Sequence, residues 1–199
     1  MPNAAALELT NATTDENGGL PAPQRYWAII TVVLAVFMSV LDSAIANIAL
    51  PTIARDLDAS PAGSIWVVNA YQLAITILLL PLASLGEILG YRRVYLAGLA
   101  VFTVASLCCA LANSLLALTL ARVLQGVGAA GIMSVNGALV RFIYPHHLVG
   151  RGIGMVAIVV AIAAALGPTV AAAILAVAPW HWLFAVNLPA APMPWSTRA

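Results

Sequence analysis

The amino-acid sequence predicts an all-α integral membrane protein, a bundle of about five transmembrane helices. Three observations carry that expectation. Hydrophobic residues make up 63% of the 199-residue chain and charged residues only 8%, with a mean hydropathy of +1.01, whereas a soluble domain keeps about a quarter of its residues charged. Five apolar windows are each long enough to cross about 30 Å of hydrocarbon as a helix. Finally, the chain has no lysine, and its arginines concentrate in alternate loops.

Residues 1–25 are polar, mildly acidic and rich in Ala, Asn, Thr, Gly and Pro. That composition cannot bury a core and reads as a disordered cytoplasmic tail. It is not a secretory leader, because its first basic residue is Arg25 and the apolar run that follows is too long. The first span covers about residues 27–50 and stops at the breaker region "PTIARDLDASPAGS". The second covers about 65–85, the third 94–112, the fourth 115–140 and the fifth 152–177, which contains Pro168. The following stretch, "APWHWLFAVNLPAAPMPWSTRA", is aromatic and proline-rich, too short and too broken to span.

Arginine placement sets the orientation. With the N-terminus inside, the inner side holds Arg25, Arg92, Arg93, Arg141 and Arg151, and the outer loops hold Arg55 alone. This bias satisfies the positive-inside rule, so the chain is expected to be a multi-pass protein of the cell's inner (plasma) membrane with a cytoplasmic N-terminus. The segment after the fifth span falls outside. Small residues in the fourth span (Gly126, Gly128, Ala129, Ala130, Gly131) and in the fifth (Ala163, Ala164, Ala165, Gly167) permit close helix approach.

Several function classes lose support here. No basic patch or stripe exists for nucleic acid. Cys108 and Cys109 are adjacent, a strained disulfide geometry, and no second pair supplies a metal site, so both read as small buried apolar residues. A membrane-embedded enzyme would have to draw on Ser134 or the His146-His147 pair, and no histidine lies mid-span. No cofactor is implied.

The informative residues are charges in apolar runs. Arg122 lies inside the fourth span, where an arginine costs about 2.5–3.5 kcal/mol on insertion scales and rarely lacks a partner. Asp42 lies inside the first span. Counting from Leu50, Asp42 is roughly 12 Å from the outer end, and counting from Leu115, Arg122 is roughly 10 Å from it. Matching depth makes the two a candidate pair. Gln125, Gly126, Ala129, Met133 and Asn136 follow Arg122 close to one helix face, Asn69, Gln72 and Thr76 form a second polar stripe, and Ser39 shares the face of Asp42. Facing stripes would line a water-filled cavity (Asn69, Gln72, Gln125, Met133 and Asn136). The alternative is a set of interhelical hydrogen bonds with no path between them. A carboxylate beside an arginine can load or release a proton as water or substrate enters, because desolvation and a neighbouring cation act on it in opposite directions.

Several stretches resemble a known family. "LDSAIANIALPTIARDL", with Asp42, Asn47 and Pro51, and "LARVLQGVGAAG", with Arg122, Gln125, Gly126 and Gly128, are similar to first- and fourth-span motifs of major facilitator superfamily transporters. They most resemble the fourteen-span drug:proton antiporter branch, the EmrB/QacA type. "ALGPTVAAAI" resembles the fifth-span antiporter motif at Gly167 and Pro168, with alanine at other glycine positions (Ala163, Ala171, Ala172). "WHWLFAVNLP" resembles the signature before span six, matching Trp180, Trp182, Phe184, Asn187 and Pro189, with His181 in place of an arginine. "ASLGEILGYRRV" resembles the loop between spans two and three, retaining Glu87, Gly90, Arg92 and Arg93, with Ala83 at the first glycine.

The resemblance implies five helices forming most of the N-terminal six-helix bundle of a major facilitator fold, over about residues 26–189. It implies alternating access and proton-coupled efflux of drug-like small molecules, with the proton gradient as energy source. Asp42 and Arg122 would form the proton-coupling group. Glu87, Gly90, Arg92 and Arg93 would form a cytoplasmic charge latch, and Gly167 and Pro168 a bend in span five. The partners implied are the lipid bilayer, a small-molecule substrate and a C-terminal half of the transporter. Residues 190–199 do not continue the family pattern, and the chain reads as a truncated or frameshifted product, inactive alone. The alternative reading is a non-transporting membrane protein that associates with full-length copies.

Overall fold

The computed structural model describes residues 22–187, all of them in helices and short connections. Helix α1 runs Ala22–Asp56, α2 Pro61–Ser64, α3 Trp66–Leu89, α4 Tyr91–Ala110, α5 Leu115–Ile143, α6 Val149–Val177 and α7 His181–Ala185, with a 3-10 turn at His146–Leu148. Five of these helices are long and apolar enough to cross a membrane, so the chain is a multi-pass membrane protein. Residues 1–21 of the expected tail, Pro189 of the last motif and segment 190–199 lie outside the described residues.

The helix limits that differ most from the sequence reading are the two ends of α1, the others shifting by four residues or fewer. Helix α1 begins at Ala22, inside the expected tail, and it continues through Pro51 to Asp56 instead of stopping at Leu50. A proline inside a helix removes one backbone bond and crowds the carbonyl four residues back. Here Ala49 and Ile53, both fully buried, pack on either side of Pro51 and hold the register. The other helix limits follow local chemistry. Ser60 caps α2 by accepting from Gly63 N at 3.0 Å, with Pro61 in the first turn. Ser114 caps α5 by accepting from Ala117 N at 3.2 Å. Gly90 joins α3 to α4 at φ +94°, a conformation that favours glycine.

Helix α5 is the centre of the bundle, packed extensively against α3 and α4, while α1 packs chiefly on α6. Glycine sets these distances. A Cβ at Gly128 would lie 2.4 Å from Phe102 N, and one at Gly126 would lie 2.7 Å from Tyr71 O. The α4–α5 and α3–α5 crossings therefore bring backbone onto backbone, as small residues allow in membrane helices. At the α1–α6 crossing, a Cβ at Gly167 would meet Ala44 Cβ at 2.3 Å. Helix α6 is continuous through Pro168, whose side chain is exposed.

Two apolar cores result. One joins Val32, Val36, Tyr95, Leu99, Phe102, Ile132 and Val135 toward the end that carries Gly90 and Tyr144. The other joins Leu41, Ile45, Ile53, Val67, Leu118, Leu183 and Phe184 toward the end that carries Asp56 and Ala112. A cluster of polar side chains lies where the two meet.

Candidate functional site

Each long helix except α6 sends residues into this cluster. Asp42 of α1 is 1% exposed and Arg122 of α5 is fully buried. They form an ion pair, Arg122 Nη1 donating to Asp42 Oδ2. Arg122 Nη1 also donates to Gln125 Oε1 at 2.7 Å, and Nε to the Val67 carbonyl at 3.1 Å. The guanidinium carbon sits 4.0 Å from the Tyr71 ring centre and 5.6 Å from that of Phe184. Aromatic faces attract a desolvated cation, and Arg122 Nη2 makes no hydrogen bond among the described residues.

The second carboxylate oxygen is also held. Asp42 Oδ1 accepts from Gln125 Nε2 at 3.0 Å and from Asn187 Nδ2 at 2.6 Å. Gln125 is engaged at both ends: its amide also donates to Ser106 Oγ at 2.8 Å, and its carbonyl accepts from Cys109 Sγ at 3.4 Å. Ser106 Oγ in turn donates to the Phe102 carbonyl at 2.7 Å. Tyr71, stacked on the arginine, donates to the Ser39 carbonyl at 3.2 Å. Burying two charges is tolerated only when they pair and the remaining donors and lone pairs find partners. This cluster meets that condition almost completely, and its members come from four helices and the segment after α6.

That segment is a lid on the cluster. Trp180 is buried, and its Nε1 donates to Asp56 Oδ2 at 2.7 Å. His181 stacks on Trp180 with ring centres 3.7 Å apart, and its Nε2 is 3.3 Å from the Ala112 carbonyl. Leu183 and Phe184 fill the adjacent core, and Asn187 reaches Asp42. By sequence this stretch is too short and broken to span; the structure docks it, because Trp180, Phe184 and Asn187 fall on one side of a short turn.

The structure places the remaining sequence candidates as follows. Gln125 is not on a cavity surface; it is fully buried between Asp42 and Ser106. Asn69 and Gln72 lie on the exposed face of α3, since Val67, Tyr71 and Ala74 occupy its inward face. Their stripe therefore points away from that of α5, and the two do not face each other within this bundle. Met133 and Asn136 are half-buried, and Asn136 Oδ1 is buried without a hydrogen bond among the described residues. Ser39 is fully buried, but its hydroxyl turns to the Ala35 carbonyl at 2.9 Å and not to Asp42. Glu87 and Arg93 are exposed and Arg92 half-buried around the Gly90 turn. Cys108 is exposed, against the expectation for both cysteines, while Cys109 is buried as a thiol donor.

Sequence reasoning missed Tyr71, Ser106, Cys109 and the role of Asn187. Tyr71, Ser106 and Cys109 carry no charge in apolar windows and leave no anomaly to notice. Asn187 stood in a recognised motif, but spacing alone did not say how deep it reaches.

A family model for the Major Facilitator Superfamily matches residues 32–192. "Uncharacterized transporter YebQ" of Escherichia coli (strain K12) is 61% identical over 171 residues, 86% of this chain and 37% of the relative. "Riboflavin transporter RibZ" of Clostridioides difficile (strain 630) is 36% identical over 166 residues, 83% of this chain and 36% of that protein. "Putative multidrug resistance protein MdtD" of Salmonella paratyphi B is 37% identical over 163 residues, 82% and 35% of the two chains. The chain thus spans little more than a third of the length of these relatives. Among solved structures, a bacterial homolog of the human lysosomal transporter Spinster, crystallised inward-facing and unoccupied, superposes with a TM-score of 0.71 at 16% identity. The match covers 89% of this chain and 44% of that one, a likeness of fold.

Proposed function

The chain belongs to the Major Facilitator Superfamily, and from that premise we propose that it forms most of the first helical bundle of a proton-coupled exporter of small organic molecules. The observation that carries the reading is the fully buried Asp42–Arg122 pair, hydrogen-bonded by Gln125 and Asn187. Ionisable residues inside a membrane bundle are costly and mark ion or substrate pathways. Here the carboxylate takes a proton, its hold on Arg122 weakens, and the helices that carry the two are released to rearrange. The motifs quoted above favour the EmrB/QacA-type antiporter branch, and relatives named for riboflavin transport and multidrug resistance favour organic solutes as cargo.

Other features take their place in this reading. Transporters of this kind bind substrate between two halves. Asn69 and Gln72, exposed on α3, suit a face that meets the second half, with Met133 and Asn136 partly accessible on α5. The Gly90 turn with Glu87, Arg92 and Arg93 serves as the cytoplasmic latch, which puts the N-terminus inside and the α7 segment on the outer side of the plasma membrane. Gly167, seated against Ala44 two residues from Asp42, couples movement of α6 to the pair. Pro168 lets α6 bend beside that contact.

The test is transport by the full-length polypeptide in liposomes under an imposed pH gradient. Asp42→Asn should abolish gradient-driven transport while substrate exchange without a gradient persists. Undiminished gradient-driven transport in that variant would refute the assignment of Asp42 as the proton carrier.

A further inference from the structure

Asp42 Oδ1 has two amide donors, and they are not equivalent. Gln125 cannot turn over. Its carbonyl is held by Arg122 Nη1 at 2.7 Å and by Cys109 Sγ at 3.4 Å, and its amide by Ser106 Oγ at 2.8 Å as well as by Asp42. Among the described residues, Asn187 is bound through its side chain once, by Nδ2 to Asp42 Oδ1 at 2.6 Å, although the residue is 2% exposed. An ionised carboxylate accepts hydrogen bonds only, whereas a protonated one must also donate. When a proton joins Oδ1, that oxygen still accepts from Gln125 Nε2, and its new O–H requires an acceptor. Rotation of the Asn187 side-chain amide brings its carbonyl oxygen into the place its nitrogen held. The other two donors on this carboxylate, Gln125 Nε2 and Arg122 Nη1, need not turn over.

From this asymmetry we infer that Asn187 is a positioning residue for proton loading, a two-way amide that completes the hydrogen bonds of Asp42 in both protonation states. The inference rests on the reading of Asp42 as the proton carrier. It also gives the α7 segment a part in coupling. Asn187 is carried by a short turn anchored at Trp180 through Asp56 and at His181 near the Ala112 carbonyl, and Phe184 covers the guanidinium from the same turn. The segment that closes over the pair thus also carries the group that senses its proton.

Two substitutions test the assignment. Asn187→Val puts a small apolar group there and removes both hydrogen-bonding roles, and Asn187→Ser supplies a hydroxyl that can donate or accept. In liposomes holding the full-length polypeptide, Asn187→Val should reduce gradient-driven transport at least about tenfold, the scale of one lost hydrogen bond to a charged group. Gradient-independent exchange should stay within about twofold, and Asn187→Ser should recover part of the loss. Infrared difference spectra of the purified chain, with the Asp42 band assigned by Asp42→Asn, provide a readout independent of transport. The band should move in Asn187→Val and return part of the way in Asn187→Ser. An unmoved band overturns the inference, as does an equal loss of driven transport and exchange. If Asp42→Asn leaves driven transport intact, the underlying reading fails; if only Asn187→Val does so, the positioning role alone fails.

Discussion

Replacing Arg122 by methionine should unfold the bundle more readily than any single hydrogen-bond deletion, and the reason is what stays behind. Asp42 would remain 1% exposed with Gln125 and Asn187 as donors but no counter-charge. Leaving one member of a buried ion pair without its partner costs about 3–5 kcal/mol. Asp42→Leu should cost a similar amount, because it strands the fully buried guanidinium between Tyr71 and Phe184. If the two costs were independent, the double variant would lose about 6–10 kcal/mol. The double variant removes both charges. Replacing a buried pair by apolar groups ranges from neutral to a gain of about 1–4 kcal/mol. Against that, Gln125 and Asn187 each lose an acceptor, about 1–3 kcal/mol apiece. The two lost acceptors cost about 2–6 kcal/mol together and the gain offsets about 0–4, so the net loss centres on about 2 kcal/mol, below either single variant. Unfolding in mixed micelles, followed by helical circular dichroism, measures all four corners of the cycle. A double variant as unstable as the sum of the singles would show that the two residues do not share one site.

Two further outcomes follow from the packing and from the proposed orientation. Gly167→Val should push α6 off α1, since even a Cβ there meets Ala44 Cβ at 2.3 Å; overpacking of this kind costs about 1–3 kcal/mol. Adding Ala44→Gly should restore most of the thermal midpoint, and failure of that rescue would place the α1–α6 contact elsewhere. For topology, single cysteines placed at Ala59 and His147 in a variant lacking Cys108 and Cys109 should react with an impermeant maleimide from opposite sides of intact cells. Ala59 should label from outside, and labelling of His147 from outside would invert the assignment.

The sequence exposed the fold and the charged half of the site for one reason: both are anomalies against an apolar background. Five membrane-length windows needed no tertiary information, and an arginine or aspartate inside one is conspicuous because lipid makes it costly. The neutral half was not legible. Tyr71 and Cys109 are ordinary members of an apolar run until packing turns their polar atoms toward Arg122 and Gln125. Gln125 was visible as a polar residue on a stripe, but a stripe says only which way a side chain points. Whether it meets water or another side chain depends on the neighbour, and here the neighbours are Asp42 and Ser106.

Asp42 lies deeper in α1 than its distance from Leu50 suggests. Because α1 ends at Asp56, Asp42 is about 21 Å from that end, against about 10 Å for Arg122 from Leu115. Contact between the two then requires α1 to run past the start of α5, or to tilt across it. The extra length buries Ile53, and its last turn offers Asp56 to Trp180. Had α1 stopped at Pro51, the Trp180 indole would have no carboxylate to bind, and the turn that delivers Phe184 and Asn187 to the pair would lose one of its two anchors. The proline that reads as a stop therefore has to be tolerated inside the helix for the site to close. Its cost in one backbone bond is borne next to the segment whose docking completes the hydrogen bonds of Asp42.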